Sequence, residues 1–340
     1  GFALRLTFGR RMQTQGSVAA YGRMVRRLLG LVLVSLVIYT AGPPAKTWIE
    51  LTELGFWGVM YEPLKRTWFQ TLMHIAVTSL WLLPVIRSGA GVRIGWMVLS
   101  AVAHVLLSYG FNYVWVNTSP NAIDGGPLGF LTWAIPAIVG TLACDLFLQP
   151  RRSANIAKAL CAAIFLMSLG YAFSCGTRFY DVAPELVDSL SKEKLAAHPV
   201  LPSREQIDAK LTNGPLTALL AEPPFVPPPD EKHRKWNYWM MSQRGGTLSY
   251  LTFCAGFSLA VYVLFYLMCD VWGWRLGVFR TFGTNALFAY ILHGLVGGAV
   301  KPFIPRDAPA WYALSGLALF FAITWLMVRH FEKQGVYLRA

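Results

Sequence analysis

Apolar residues recur along this chain in runs of about twenty, each closed by a short polar or basic segment. Eight runs are long enough, or nearly so, to cross a hydrocarbon core of about 30 Å as helices: residues 28–41, 68–86, 94–115, 128–148, 157–174, 247–269, 281–300 and 310–328. The first is short, and snorkelling of Arg26 and Arg27 extends it. The pattern predicts an all-α polytopic transmembrane bundle of about eight full spans, preceded by a partial one.

Polar side chains interrupt three of these runs in helical register. In the seventh, FRTFGTNALFAYILHG, residues Asn285, Phe288, Ala289, Leu292 and His293 fall at i, i+3, i+4, i+7 and i+8, which predicts one shared helix face. The second carries Gln70, His74 and Thr78, and the third Ser100, His104, Ser108 and Asn112. From the rise of a helix, His74 should lie roughly 9 Å from the outer surface, and His104 and His293 roughly 15 and 18 Å from the inner one. Polar groups in hydrocarbon are expensive and mark a pathway or a site. Imidazole suits proton transfer at neutral pH.

Composition agrees with the bilayer. Of 340 residues, 55% are hydrophobic and 14% charged, with 13 Trp, 14 Tyr and 21 Phe; a soluble domain carries roughly 25% charged residues. The formal charge of +13 comes largely from short loops on alternate sides of the runs. Arg10, Arg11, Arg23, Arg26 and Arg27 come before the first run. Arg87 and Arg93 follow the second, Arg151, Arg152 and Lys158 the fourth, Arg275 and Arg280 the sixth, and Arg329, Lys333 and Arg339 the last. The positive-inside rule makes that side cytoplasmic, C-terminus included. A nucleic-acid surface is not expected, because no basic patch with stacking aromatics stands outside these loops. The five cysteines have neither zinc nor disulfide spacing. No two histidines stand at i, i+4 and no carboxylate shares their stripes, so no metal site is expected. Asp145 and Asp270 are expected to pair with nearby arginines such as Arg151, Arg152 and Arg275.

Residues 176–244 break the pattern and are read as an extracytoplasmic Pro-rich insertion between membrane parts 1–175 and 245–340. Nine of the seventeen acids lie between Thr177 and Trp236. Ser203 with Gln206 forms a capping box, and Asn213-Gly214 should stop the helix it starts. The chain then re-enters through WNYWMMSQRGGTLSY, residues 236–250. Asn237, Trp239, Gln243 and Arg244, with Ser242 and the tight Gly245-Gly246 turn, are candidates for holding a sugar or phosphate. The loop NAIDGGP, 121–127, has the turn chemistry to pack beside them.

The chain opens on Gly1-Phe2-Ala3-Leu4 and runs at once into Arg5, Arg10 and Arg11. That is the pattern of the tail of a span whose start is absent, so a fragment lacking its N-terminus is expected.

Four stretches carry a resemblance: the stub GFALRLTFGRR, DGGPLGFLTWAIPAIVGTLACDLF from Asp124, the run from Asn237 through SYLTF to CDVWGWR, and GTNALFAYILH. They resemble the heparan-α-glucosaminide N-acetyltransferase-like membrane acyltransferases, bacterial relatives in particular. The last two stretches are specific in combination, and the likeness covers most of the chain outside the insertion. It implies a many-helix bundle that moves an acetyl group from cytoplasmic acetyl-CoA to a sugar amine or hydroxyl on the opposite side, in a bacterial inner membrane. The family's catalytic histidine lies in a loop before the span whose tail begins this chain, so no residue here matches it. Asn285 and His293 match the family's polar positions and, with His104, are the catalytic candidates. His74, Asn112, Asn237, Trp239, Gln243 and Arg244 are the substrate-binding candidates. Membrane lipid, a glycan acceptor and further copies of the chain are the expected partners. A transporter or flippase without covalent chemistry is the alternative.

Overall fold

A computed structural model of the chain, describing residues 1–150, 152–183, 194–212, 215–227, 229 and 232–338, places thirteen α-helices and no β-strand among those residues. They are α1 (Phe2–Gln15), α2 (Ser17–Ile38), α3 (Trp48–Glu62), α4 (Thr71–Leu82), α5 (Ala90–Leu107), α6 (Tyr113–Asn117), α7 (Phe130–Phe147), α8 (Arg152–Cys175), α9 (Arg204–Thr212), α10 (Leu248–Tyr266), α11 (Gly277–Thr284), α12 (Ala286–Val300) and α13 (Ala310–Lys333).

Among the described residues, six continuous helical segments are long and apolar enough to cross a membrane: Ala90–Asn117, Gly126–Phe147, Ser153–Tyr180, Leu248–Val271, Ala286–Phe303 and Ala310–Lys333. A seventh counts if Trp48–Thr67 and Thr71–Val85, bent by 86° across Trp68-Phe69-Gln70, form one broken span. Such helices are compatible with an integral membrane protein. The expected first run lies in α2, which has the length but carries Arg23, Arg26 and Arg27. The expected second run is shortened by the bend, because Gln70 takes an extended conformation ahead of α4.

The chain forms two compact units, Gly1–Leu264 and Phe265–Ala340. In the first, α7 packs against α1, α4, α5 and α8, while α2 lies on α1 and α4. Phe8, Ala20, Met24, Leu28, Leu83 and Ile86 fill one core beneath these helices, and Leu82, Ala134 and Ile138 a second. The fully buried ammonium of Lys65 sits over the Tyr61 and Trp115 rings and donates to the Thr118 carbonyl at 3.0 Å, tying the bend ahead of α4 to the end of α6. Asp145 pairs with Arg5 at 2.9 Å and with Arg93, which α1 and α5 bring from afar to the end of α7; Arg151 and the Arg152 side chain, its expected partners, lie outside the described residues.

The segments of the insertion are stitched to one another by backbone bridges and side chains. Two isolated bridges, Asp181 with Arg234 and Leu195 with Trp236, bring its ends together. Fully buried Arg234 donates to Asp181 at 2.6 Å and to Glu222 at 2.7 and 3.0 Å. Arg178 and Lys210 complete the network. The capping box forms in both directions, Ser203 N to Gln206 Oε1 at 2.8 Å and Gln206 N to Ser203 Oγ at 3.2 Å. Asn213-Gly214, its expected stop, lies outside the described residues.

In the second unit α12 and α13 form an antiparallel hairpin across a connection carrying Pro302, Pro305 and Pro309. Phe288 packs edge-on against Phe331 at 4.7 Å, and Thr281 donates to Glu332 at 2.9 Å.

Candidate functional site

Two glycine-rich loops meet at the start of α7. Asp124, Gly125 and Gly126 all have left-handed backbone, with φ of 54°, 86° and 62°, and so turn the chain sharply. Gly246 is left-handed too, and a Cβ on it would come within 2.8 Å of the Gly125 Cα. At that contact Gly125 N donates to the Arg244 carbonyl at 2.9 Å, and Thr132 Oγ1 donates to the Gly246 carbonyl at 2.7 Å. The loop NAIDGGP therefore packs beside SQRGGT, as expected from its turn chemistry.

The crossing fixes one wall of a cavity of about 400 Å³ whose lining includes His74, Thr78, Asp124, Trp133, Pro136 and Gln243. Gln243 Nε2 donates to Asp124 Oδ1 at 3.1 Å, and Trp133 Nε1 donates to the Asp124 carbonyl at 3.0 Å. The His74 ring stands between Phe69 and Trp133, at 6.1 and 6.3 Å between centroids. It fits beside Gly129, where a Cβ would lie 3.0 Å from its Cε1. Neither His74 nitrogen makes a well-formed hydrogen bond among the described residues, although the Phe69 and Ile123 main chains are close enough to act on the ring. The Thr78 hydroxyl, one turn along α4, is likewise buried without a partner. Burial pushes the Asp124 carboxyl above its ordinary pKa, and the Gln243 bond works against that shift. Buried polar groups are normally satisfied, so open valences around a cavity indicate something polar to be bound. A base, a hydroxyl and a carboxyl facing a space of ligand size can hold a hydroxylated molecule and take a proton from it.

A second cavity, of about 480 Å³, opens at the other end of α7, with Arg5, Arg10, Gln13, Arg87, Cys144 and Asp145 in its lining. Behind it Arg93 is buried against Asp145, with Nε and Nη1 unpartnered. Three arginines at one cavity suit an anion such as a phosphate. Ala137 lines the first cavity and Cys144 the second; seven residues of α7 separate them, about 10 Å of helix rise.

Family models, curated proteins and solved structures all fail to match this chain.

The histidine stripes fare differently. On α5 and the turn after it, Ser100, His104, Ser108 and Asn112 are all buried on one side. Ser100 accepts from Trp81 at 2.8 Å, and His104 Nδ1 shares a 2.8 Å bond with the Tyr238 hydroxyl. His104 Nε2, Ser108 Oγ and both Asn112 amide atoms have no partner among the described residues. Residues 108–112 form a π-helical turn, a widening often found at functional sites.

The expected Asn285–His293 face does not bring its two polar residues into one site. Asn285 is the non-helical N-cap of α12, at φ −129°, ψ 48°, and its carbonyl accepts from Ala289 N at 2.9 Å. Its amide donates to the Val336 carbonyl at 3.1 Å and accepts from Leu338 N at 3.1 Å, so it holds the tail of its own unit. Leu292, Val296 and Val300 form the buried side of α12, whereas His293 is exposed and bonds the Tyr290 carbonyl of its own helix.

Asn237 and Trp239 are also engaged in holding the fold. Asn237 donates to Thr177 Oγ1 at 2.8 Å and accepts from Trp239 N at 3.0 Å, while its carbonyl accepts from Tyr113 at 2.6 Å. Trp239 Nε1 donates to the Val200 carbonyl at 2.9 Å. Gln243 reaches the His74 cavity, and Arg244 meets the facing loop through its main chain. Asp124 and Tyr238 are the site groups that sequence reasoning passed over. Each stood inside a motif singled out for its glycines or its tryptophans.

Proposed function

We propose that this protein is a membrane-embedded acyltransferase that moves an acetyl group from acetyl-CoA to a sugar or glycan acceptor across the bilayer. The observation that carries this reading is the pairing of cavities along α7, an arginine-lined one and a histidine-lined one about 10 Å apart. The phosphates of the donor suit the arginine cavity, and its long thioester arm would extend along α7 to His74. There the acceptor hydroxyl or amine attacks the thioester carbonyl, the C–S bond breaks, and His74 carries the acceptor's proton to the departing thiolate. Asp124, held by Gln243, positions the acceptor.

On this reading the arginine end faces the cytoplasm with the C-terminus, the insertion lies outside the inner membrane, and eight crossings join the two sides. The buried stripe of His104, Ser108 and Asn112, in which Nε2, Oγ and both amide atoms have no partner among the described residues, favours a second reading, a transporter whose path follows α5. Reconstituted protein supplied with labelled acetyl-CoA on one side and a sugar panel on the other separates the two. Covalent label on a sugar supports the acyltransferase. Passage of unmodified sugar without label transfer supports the transporter.

A further inference from the structure

A third cavity, of about 510 Å³, lies where the insertion meets the ends of α8 and α10. Tyr250, Phe253, Cys254 and Phe257, at i, i+3, i+4 and i+7, give it one face of α10. Phe225 covers that face from the Pro-rich loop, edge-on to Phe253 at 5.8 Å and to Phe257 at 6.0 Å. The ring is 85% exposed, and its backbone is left-handed at φ 86°, a conformation costly for a bulky residue and characteristic of ligand clamps. Glu222 and buried Arg234 close the other end. Phe257 lies nine residues into α10, about 14 Å along it, so the cavity runs from an ion pair in the insertion into the apolar zone of a span.

We infer that this cavity binds a glycosylated lipid, its hydrocarbon chain along Phe225, Phe253 and Phe257 and its hydroxylated head against Glu222 and Arg234. The pairing of apolar wall and polar end calls for an amphiphile, and the charges select its head. The charged residues that line the cavity, Glu222 and Arg234, are bonded to each other, so its polar end offers a paired carboxylate and guanidinium rather than a free cation. Of the five guanidinium N–H groups of Arg234, three are engaged by Asp181 and Glu222, and two carry no hydrogen bond among the described residues. Those donors beside carboxylate oxygens match a diol, which both donates and accepts. Met240 and Met241 line this cavity, and Gln243, two residues on, lines that of His74. The inference rests on the acyltransferase reading and narrows it: the acceptor sugar arrives anchored to lipid.

The test uses the full chain in lipid nanodiscs with two photoprobes, a glucosyl diacylglycerol and a phosphatidylglycerol bearing the same diazirine chain, and maps crosslinks by peptide mass spectrometry. The glucolipid should label the peptides of Phe225, Phe253 and Phe257, and excess unlabelled glucolipid should lower that signal about tenfold. Filling the cavity with Cys254→Trp should do the same. Phe225→Ser, in the loop outside the spans, is the second variant and should weaken labelling several-fold while leaving the folded protein monodisperse. Equal labelling by the two probes, or labelling that unlabelled glucolipid does not displace, overturns the inference. Labelling needs no acetyl-CoA. Acetyl transfer to free sugars without selective labelling therefore defeats this inference alone, and selective labelling without acetyl transfer defeats the acyltransferase reading alone.

Discussion

Gln243 holds Asp124 through a 3.1 Å bond between side chains 119 residues apart in sequence, and this contact joins the two loops that wall the His74 cavity. It also sets a pH dependence. Burial raises the Asp124 carboxyl, so the folded state disfavours the ionised form. The contribution of Asp124 to stability is then fullest below its unfolded value of 3.8 and is lost as pH rises from there through the raised folded value. Asp124→Asn, which keeps the acceptor oxygen, should flatten that slope in thermal unfolding followed across pH. An unchanged slope would remove Asp124 as its source.

The loop crossing itself tolerates little. Gly246→Ala places a Cβ on left-handed backbone, at a cost of roughly 1–2 kcal/mol. It also brings that carbon within 2.8 Å of the Gly125 Cα. We expect a lower melting temperature, together with loss of ligand binding at the His74 cavity. Gly22→Ala, with open space around its position, should change neither.

Truncating Arg234 to Ala removes its charge-assisted bonds to Asp181 and Glu222, which keep Arg178 and Lys210, and should cost about 1.5–3 kcal/mol. Burial by itself would raise the Glu222 carboxyl, but the Arg234 hydrogen bonds and the nearby positive charges hold it below its ordinary value. A lowered carboxyl contributes stability above the unfolded value of 4.5, and that contribution is lost as pH falls through the folded one. Glu222→Gln should remove this acid-side loss, as read by melting temperature against pH.

In the second unit Asn285→Ala deletes two bonds to the tail, worth about 0.5–1.5 kcal/mol each. Trypsin should then cut after Lys333 faster, and amide exchange at Leu338 should quicken. If both rates match wild type, the side chain does not retain the tail.

Much of the helical architecture was legible because long apolar runs have few alternatives to a helix. His74 with Thr78 and Ser100 with His104 could be read because α4 and α5 are continuous between them, and the capping box at Ser203 because both partners are local. Breaks were harder to see. One non-helical residue at Asn285 leaves the composition of the seventh run untouched, yet it divides that run into α11 and α12. The bend before α4 is equally silent, since Gln70 extends the polar stripe by spacing while its backbone leaves the helix. The pairing of Asp124 with Gln243 depends on how distant loops fold together, which no periodicity reports. Asn237 and Trp239 had the chemistry of a sugar site, but the structure uses it to tie the insertion to Tyr113 of α6 and to join the insertion's own segments at Thr177 and Val200.

The most direct test compares two imidazoles in one assay, the rate of labelled acetyl transfer by reconstituted full-length protein carrying His74→Gln or His293→Gln. With His74 as the base, the first variant should lose about 10²–10⁴-fold and the second should stay near wild type. Wild-type transfer by His74→Gln, or loss of transfer confined to His293→Gln, would contradict the placement of the chemistry at the His74 cavity.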